Sequence, residues 1–556
     1  GWEDSSVPPE RLGEYLRKLR ALLDKYGYEG DLYGHFGQGC VHTRIDFDLR
    51  TAAGIRTFRA FLQEAAALVV GLGGSISGEH GDGQSKAELL GTMFGAELLE
   101  AFREFKRIWD PDNRMNPGKV VDAYGVVENL RLGTGYDPPP VQVHFQYRDD
   151  GGDFPRALLR CVGVGECRKK EGTMCPSYMA TGEEMHSTRG RARLLWEMLN
   201  ADTLARGWKE PAVKEALDLC LSCKGCRSEC PVKVDMATYK AEFLSHYYAG
   251  RPRPLKAYAF GMIDRWSRIA SRMPGFANAV SDNPLVKNLA GIAPERRVTP
   301  FAARPFTRDF SEAGEGEDVL LWPDTFNNYF HPEVAHAAAR ALQAAGCRVR
   351  IPARPLCCGR PLYEFGMLER AKAYLARILE VLAADIRSGT PLVVLEPACA
   401  SVFRVELGEL FPFSEQAKRL AAQTLLLPEF LQRKAPRFPF RREGKALVHG
   451  HCHHKSVFDM DEETSVLRRM GLEPELLDSG CCGMAGSFGF EREKYDVSMR
   501  CAERVLAPAV RAAPPQSLVI ADGFSCREQV VHATGRRPLH LAEVLVPRAP
   551  RLQQKS

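Results

Sequence analysis

The stretch CLSCKGCRSECP, from Cys220 to Pro231, holds four cysteines with two, two and three residues between them and ends in a proline. In such a run the first three thiolates lie on one tight loop around an iron–sulfur cluster, and the fourth usually binds a different cluster. Zinc is the main alternative, but zinc sites usually combine two separated Cys-x-x-Cys pairs. The stretch therefore predicts an iron–sulfur protein in which Cys230 serves a second cluster.

A second group of cysteines lies upstream and also ends in a proline: Cys161, Cys167 and Cys175, followed by Pro176. Together the two groups resemble the motifs of two-cluster ferredoxins. The resemblance implies one 4Fe-4S cluster on Cys175, Cys220, Cys223 and Cys226, and a second cluster on Cys161, Cys167 and Cys230. The second set is one thiolate short, because Val164 stands where its fourth cysteine would be. Its Cys-x5-Cys spacing is similar to that of the three-iron site in the iron–sulfur subunit of succinate dehydrogenase. The second cluster is therefore either 3Fe-4S or a 4Fe-4S cluster with a non-cysteine ligand.

The composition is that of an ordinary globular protein: 556 residues, 45% hydrophobic and 26% charged, with a net charge of +5. This length suggests about three or four domains. The small net charge gives no case for a nucleic-acid partner, and no apolar run is long enough to span a membrane. No signal peptide is visible, so the 17 cysteines favour metal binding in a reducing, cytoplasmic compartment over disulfides. The chain begins with Gly1, and we expect it to be a fragment.

Two histidines are predicted to converge near the start of the chain. The turn Gly37–Gly39 separates two short strands, and alternation along the second strand puts His42 and Arg44 on one polar face. His35 lies just across the turn. Taken alone, such a pair of histidines is more often structural than ligating.

The glycine-rich loop GGSISGEHGDG, from Gly73 to Gly83, makes a ligating role of the two histidines the favoured interpretation. Its glycines allow the backbone to approach a ligand closely, and they present Glu79 and His80 side by side. A carboxylate and two histidines, with a third histidine beside them, form a divalent metal site that has a base next to it.

Residues 1–123 resemble the C-terminal substrate domain of FAD-linked 2-hydroxy-acid dehydrogenases of the vanillyl-alcohol-oxidase type, through the motifs GHFGQGCVHTRIDF, GSISGEHGDG and DPDNRMNPGK. The resemblance implies a zinc-like ion on His35, His42 and Glu79, catalytic roles for His80 and Arg44, and FAD contacts from Glu79, Gly81 and Asn116. Relatives often carry asparagine where this chain has Arg44, whose guanidinium suits bidentate binding of a substrate carboxylate. The implied reaction is oxidation of a D-2-hydroxy acid, in which His80 accepts the hydroxyl proton and FAD receives a hydride.

Residues 126–318 combine the cysteine motifs with a basic connector. Tyr136 to Pro140 are predicted to be a linker. A basic helix from His186 to Leu199 either lies over the anionic clusters or is a solvated charged face. The connector is rich in Lys and Arg, and an apolar helical stripe runs along it from Leu255 to Met273. This helix either packs on a neighbour or docks on a membrane surface or a partner.

The last part of the chain holds an internal duplication. Two Cys-Cys-Gly triplets, which start at Cys357 and Cys481, are each followed by one more cysteine, Cys399 and Cys526. Each block alternates strands with helices. That order is typical of parallel βαβ units, whose ligand site lies at the carboxyl ends of the strands.

This part resembles the CCG domain of heterodisulfide reductase and of the iron–sulfur subunits of glycolate and lactate oxidases. The second repeat keeps four candidate ligands for a third cluster or metal: Cys452, Cys481, Cys482 and Cys526. His453 and His454 are close to them in sequence. The first repeat, with Cys357, Cys358 and Cys399 alone, looks degenerate. The alternative for the second repeat is an empty relic that serves only as a scaffold.

These segments predict a multidomain protein of mixed α+β and α/β class. The expected domains are a ferredoxin-like α+β FAD-oxidase C-terminal domain (1–125), an α-helical ferredoxin (126–250), a basic helical connector (251–318) and two CCG repeats (319–435 and 436–556).

The order of these modules resembles that of fused bacterial D-2-hydroxyglutarate dehydrogenases. It implies oxidation of a D-2-hydroxy acid similar to 2-hydroxyglutarate, lactate or glycolate, with electrons passed through the clusters to a quinone or an electron-transfer protein. The alternative is a non-catalytic iron–sulfur subunit that serves a separate flavoprotein. Peripheral contact with the inner membrane face and a homo-oligomeric state are further expectations.

Overall fold

The computed structural model describes residues 1–136, 138, 140–200 and 204–546, and it divides into two compact units, Gly1–Pro139 and Pro140–Ser556. The junction falls in the predicted linker, of which residues 137 and 139 lie outside the described part. Residues 547–556, at the end of the predicted second repeat, also lie outside the described part. Within the described ranges, none of the helices combines the length and the apolar character needed to cross a bilayer.

The first unit is an antiparallel sheet packed against helices. Its strands are β1 (Asp4–Ser6), β2 (Gly30–Tyr33) and β3 (Cys40–Ile45), in the order β1-β3-β2. Its helices are Leu12–Tyr26, Ala52–Gly71 and Leu90–Trp109. Apolar residues of the first two helices and Val41 of β3 form its core. The first helix follows a short 3-10 turn, Pro9–Arg11, and ends at Tyr26.

Strand β3 lies in the centre of this sheet. His42 therefore has a neighbour on each side: Asp4 of β1 and Tyr33 of β2. The predicted turn between β2 and β3 is present. The predicted polar face of β3 is present only in part, because Arg44 is exposed whereas His42 is buried. The first residues of the chain thus lie directly beside His42.

The cysteine motifs of the second unit lie among short helices, with no strand in the described residues between 140 and 316. These helices are Phe154–Leu158, Pro176–Thr181, Thr188–Asn200, Pro211–Asp218, Gly225–Glu229 and Met236–Tyr247. Their apolar side chains, such as Leu195 and Phe243, share one core with those of the first repeat, such as Leu375 and Phe403. The ferredoxin-like part and the first repeat are therefore packed together.

The connector differs from the single helix that the apolar stripe predicts. Its helices are Leu255–Gly261, Ile263–Ala270, Pro274–Ser281, Pro284–Leu289 and Phe306–Asp309. The stripe breaks after Gly261, which lies so close to Phe365 that an added Cβ would be 3.3 Å from its ring. The second helix packs through Asp264 and Ser267 and leaves Ile269 exposed. The interpretation of the stripe as a face packed on a neighbour is therefore wrong for its exposed residues, such as Ile269 and Met273.

Both repeats form parallel sheets with the same strand order. The first has β4 (Glu317–Trp322), β5 (Cys347–Arg350), β6 (Leu392–Val394) and β7 (Thr424–Leu426), in the order β5-β4-β6-β7. The second has β8 (Gly444–Val448), β9 (Leu472–Leu476) and β10 (Leu518–Ile520), in the order β9-β8-β10. The parallel pairing is the one that alternating strands and helices predict.

The helices of the first repeat are Thr325–Tyr329, Pro332–Ala344, Arg360–Tyr363, Leu368–Val381, Ala383–Ser388, Pro397–Ser401, Leu407–Leu410, Glu415–Gln423 and Leu427–Arg433, with a π-helical turn at Val402–Glu406. Those of the second repeat are Cys452–Val457, Asp461–Met470, Tyr495–Arg504, Leu506–Ala512, Phe524–Thr534 and Leu541–Leu545. In each repeat the extra cysteine, Cys399 or Cys526, lies in the helix that follows the third strand.

Candidate functional site

The first unit brings His35, His42 and Glu79 together. The Nε2 atom of His42 lies 2.9 Å from one carboxylate oxygen of Glu79, and Nε2 of His35 lies 3.6 Å from the other. One ligand atom from each of the three residues lies within 4.8 Å of the others. His42 is buried, whereas His35 and Glu79 are exposed to solvent on one side. Two imidazoles and a carboxylate are donors that suit a divalent ion such as Zn²⁺.

His80 lies against this group. Its ring stacks on that of His42, with 4.8 Å between the centroids and 13° between the planes, and its Nε2 is 3.5 Å from a Glu79 oxygen. About 43% of its side chain is exposed, so one edge of the ring is open to a ligand. A base therefore stands directly beside the three candidate metal ligands, which is the arrangement needed for proton transfer from a metal-bound hydroxyl.

Asp4 holds the loop that carries Glu79 and His80. Its fully buried carboxylate accepts hydrogen bonds from the amides of both residues, at 2.6 and 3.0 Å, and pairs with Lys86 Nζ at 2.5 Å. Burial alone would raise the pKa of Asp4, but the hydrogen bonds from Lys86 and the two amides outweigh it and hold the pKa well below its usual value. Sequence reasoning missed this pair, since nothing in the local pattern links positions 4 and 86.

The other candidate residues of this unit lie outside the histidine group. Arg44 has an exposed side chain, with its guanidinium 5.8 Å from the ring centre of Tyr33. Gly81 follows His80 with φ at 84°, in the left-handed region that favours glycine. Asn116 is exposed in the loop after Leu90–Trp109. Among the described hydrogen bonds and ion pairs, none joins these three residues to His35, His42 or Glu79.

In the second unit, the cysteines predicted to share the 4Fe-4S cluster influence one another. Burial comes first among the causes that raise the pKa of Cys223, followed by the thiol of Cys452 and then those of Cys226 and Cys220. Burial also raises the pKa of Cys226 to about 12. A hydrogen bond with Cys167 is the main cause that raises the pKa of Cys175, and Cys226 contributes as well. Neutral thiols crowded in this way are ready to give up protons to a metal, since a cation reverses the penalty on the thiolates.

Backbone amides point at several of these sulfur atoms. Thr188 N donates to Cys175 Sγ at 3.0 Å, and Arg189 N donates to Cys167 Sγ at 3.4 Å. Both amides belong to the first turn of Thr188–Asn200, so the predicted basic helix meets the cysteines with its positive end. Amide donors to sulfur suit anionic iron–sulfur clusters, and the residues present therefore fit such a group.

The second cysteine set is less compact. The hydrogen bond with Cys175, helped by the Arg189 amide, lowers the pKa of Cys167 to about 6 although burial acts the other way. Cys161 and Cys167 both lie close enough to Arg189 to raise its pKa, after the larger contribution of Glu184. Cys230 caps the helix Gly225–Glu229, and within the described residues no hydrogen bond joins it to Cys167.

The cysteine loops of both repeats open into one cavity of about 180 Å³. Six cysteines line it, three from each repeat: Cys357, Cys358, Cys399, Cys452, Cys481 and Cys482. Most of the other wall residues are apolar, among them Phe260, Phe326, Phe365, Phe490 and Phe524. Glu396 is an exception, and burial raises the pKa of its carboxyl to about 8.

In the first repeat, Thr325 stands where the second repeat has Cys452. Each is the first residue of the helix that follows the first strand, three positions after Trp322 and His449 respectively. The Thr325 hydroxyl lies 3.6 Å from Cys357 Sγ, and the Sγ atoms of Cys358 and Cys399 are 2.9 Å apart. The first repeat therefore keeps three clustered thiols and carries a hydroxyl in place of the fourth.

In the second repeat the four predicted cysteines form a chain of neighbouring thiols. Hydrogen bonds with Cys452 and then Cys482 raise the pKa of Cys481, and a hydrogen bond with Cys482 raises that of Cys526. The histidine beside them is His449, which sequence reasoning did not select.

The two predicted histidines have other surroundings. His453 Nε2 lies 2.9 Å from the carbonyl oxygen of Ser222, and His454 groups with Glu463 and Asp522 in the core.

Three family models match the chain. They are the C-terminal domain of FAD linked oxidases at residues 1–120, a 4Fe-4S dicluster domain at 157–234 and a Cysteine-rich domain at 324–404. The chain therefore combines regions that match the C-terminal domain of FAD linked oxidases, a 4Fe-4S dicluster domain and a Cysteine-rich domain. The Cysteine-rich match falls on the first repeat.

Over nearly its whole length the chain is homologous to D-2-hydroxyglutarate dehydrogenases. It is 30% identical to that of Pseudomonas putida, over 99% of this chain and 58% of that protein, and 27% identical to that of Escherichia coli, over 98% and 58%. It is also 41% identical to D-lactate dehydrogenase of Archaeoglobus fulgidus, over 21% of this chain and 26% of that protein. The chain thus spans 58% of the length of the two D-2-hydroxyglutarate dehydrogenases.

Proposed function

We propose that this chain is the substrate and electron-transfer part of a D-2-hydroxy-acid dehydrogenase that uses FAD and iron–sulfur clusters. The observation that carries the proposal is the group of His35, His42 and Glu79 with His80 stacked against it. A subunit that only transfers electrons has no use for such a group. The similarity to D-2-hydroxyglutarate dehydrogenases favours D-2-hydroxyglutarate as the first substrate to test.

In the proposed reaction, the residues of the chain bind the acid and move one proton. His35, His42 and Glu79 would hold the divalent ion, and His80 accepts the hydroxyl proton on its free nitrogen. The ion held by these residues would supply polarisation of the substrate hydroxyl, and FAD would supply the hydride acceptor. The exposed Arg44 guanidinium binds the substrate carboxylate, and Asp4 keeps Glu79 and His80 in place through their amides.

The cysteine sets of the second unit would hold the clusters that carry the electrons away one at a time. Cys175, Cys220, Cys223 and Cys226 hold a 4Fe-4S cluster in this proposal, and Cys161, Cys167 and Cys230 hold the second one, either 3Fe-4S or 4Fe-4S. Amide donors to Cys167, Cys175 and Cys226 support both assignments. The four cysteines of the second repeat are proposed as a third site, and the first repeat as a degenerate copy.

The connector is proposed as a membrane contact, which suits delivery of electrons to a quinone. Its exposed apolar side chains extend over three successive helices: Trp266, Ile269, Met273, Phe276, Val280, Leu285 and Leu289. Arg265, Arg268 and Arg272 alternate with the first of them. A surface that combines basic residues with large exposed apolar side chains is complementary to an anionic bilayer.

A dye-linked assay of the anaerobically purified holoprotein tests the proposed reaction. We expect D-2-hydroxyglutarate to be oxidised and the L isomer to be inert, and a chelator to abolish the rate until a divalent ion is restored. A Cys347→Ser variant is the control and should show the same rates and the same response to the chelator. This buried thiol lies in β5, outside the predicted cysteine sets. Equal rates with both isomers, or a rate that no chelator affects, would argue against the proposal.

A further inference from the structure

We propose that His449 is a nitrogen ligand of an iron–sulfur centre in the second repeat, together with Cys452, Cys481, Cys482 and Cys526. The inference rests on one part of the proposed function, namely that these four cysteines bind a cluster. It adds a fifth donor of a different chemical type, which the motif of four cysteines does not contain.

The ring of His449 lies beside two cysteines of the second repeat. One ring nitrogen of His449 and the Sγ atoms of Cys482 and Cys526 all lie within 4.8 Å of one another. All three side chains are buried, with 2%, 3% and 2% of their surfaces exposed. One nitrogen and two sulfurs at this spacing could hold a metal ion between them, and these are donors that Zn²⁺ and iron prefer.

The two ring nitrogens of His449 have different surroundings. Nδ1 is engaged by the hydroxyl of Ser479 at 2.6 Å. Nε2 is buried and has no nitrogen or oxygen partner among the described residues, and the other side chain that interacts with the ring is the Cys482 thiol. A buried imidazole that is fixed through its outer nitrogen and faces a candidate thiolate ligand is the usual arrangement of a histidine ligand, because the outer contact sets its orientation. Ser479 is therefore a positioning residue, and Nε2 is the ligating atom.

The first repeat provides an internal comparison. At the position of His449 it has Trp322, and at the position of Cys452 it has Thr325, while its three other cysteines are retained. The two donors at the end of the first strand are thus both present in one copy and both absent from the other. This joint difference is what a shared metal centre predicts, whereas a purely structural histidine has no reason to depend on a cysteine three residues away.

The type of donor suits an iron–sulfur cluster. Four thiols with one imidazole are a sulfur-rich set, and cysteine thiolates combined with histidine nitrogen are a known ligand set of iron–sulfur clusters. Cys452 and Cys481 also pack in one group with Cys223, a predicted ligand of the 4Fe-4S cluster. A centre on the second repeat would therefore lie next to that cluster, within the same compact unit.

Pulsed EPR of the reduced holoprotein, grown with 15N-labelled histidine, tests this inference. We expect a strongly coupled histidine nitrogen that disappears in His449→Cys, while iron content stays unchanged because a thiolate replaces the imidazole. The midpoint potential of this centre should fall in the same variant, as imidazole ligands raise the potential of iron–sulfur clusters relative to thiolates. His449→Leu should lose the centre, and Ser479→Ala should keep it with an altered nitrogen coupling.

Two further variants test the third cluster site separately from the histidine ligand. Cys481→Ser/Cys482→Ser should lose iron, sulfide and the nitrogen coupling together, whereas Cys501→Ser should lose none, since this buried thiol bonds instead to the Pro176 carbonyl. Unchanged iron in the double variant would refute the third site itself. Iron lost in the double variant, with no coupled histidine nitrogen in the wild type, would leave the third site intact and overturn the role of His449.

Discussion

The rings of His42 and His80 lie face to face, 4.8 Å apart at their centroids, although they come from a strand and from a loop 38 positions further along the chain. The stacking leaves His42 directed at Glu79 and keeps the second ring at the open side of the group. In the proposed reaction the two imidazoles therefore have different tasks, His42 as a metal ligand and His80 as the base.

Replacement of His80 should remove the proposed base and leave the proposed metal ligands in place. In His80→Gln we expect kcat to fall by about 10²–10⁴-fold, the usual contribution of a positioned general base. The ion should remain, because the substitution leaves the three ligands intact. Rate measurement together with metal analysis checks both points, with His42→Gln as the comparison that loses the ion as well. Near-normal turnover in His80→Gln would show that another group accepts the proton.

The Asp4–Lys86 pair should be a large local contribution to stability. Asp4→Asn leaves the Lys86 ammonium buried without its partner, and such a change costs about 3–5 kcal/mol. The double variant Asp4→Asn/Lys86→Met should recover part of that loss. Denaturant unfolding, read from the transition of the first unit, measures both values. Equal stability of the single and double variants would contradict the pairing.

The same pair gives a pH dependence. The pKa of Asp4 is lower in the folded state than in the unfolded chain, so its contribution is complete above the unfolded value of about 3.9. It is lost as the pH falls below that value toward the folded pKa. The stability difference between the wild type and Asp4→Asn should therefore be constant from pH 5 to 7 and should shrink in more acidic solution. A difference that grew on acidification would have the wrong sign for this account.

The connector should bind anionic bilayers through its apolar side chains. Ile269→Glu and Phe276→Glu are each expected to weaken co-sedimentation with vesicles that contain phosphatidylglycerol. Val531→Glu is the matched control, because Val531 is also exposed but lies in the second repeat. Loss of binding in all three variants, or no binding by the wild type, would remove the membrane contact from the proposal.

Local sequence patterns predicted the turn before β3 and the alternating strands and helices of the repeats, because such features depend on residues close together in the chain. The turn before β3 and the loop with Glu79 and His80 are local features, and the duplication of βαβ units follows from periodicity. Gly261 shows a limit: the helix ends there although the apolar stripe continues, and its close neighbour Phe365 is about 100 positions away in the sequence.

His449 shows a second limit. It is one of four histidines between positions 449 and 454, and only the end of β8 determines which ring faces the sulfur atoms. An alignment of the two repeats would have supplied one signal, since His449 and Cys452 are replaced together by Trp322 and Thr325. The pairing of Asp4 with Lys86 joins residues 82 positions apart and had no such signal.

Anaerobic titration of the holoprotein with D-2-hydroxyglutarate, followed by visible absorbance and EPR, tests the central claim most directly. The account predicts that the D isomer bleaches the flavin and then produces the signals of reduced iron–sulfur clusters, while the L isomer does neither. Holoprotein with full flavin and iron that stayed oxidised with every D-2-hydroxy acid offered would contradict it.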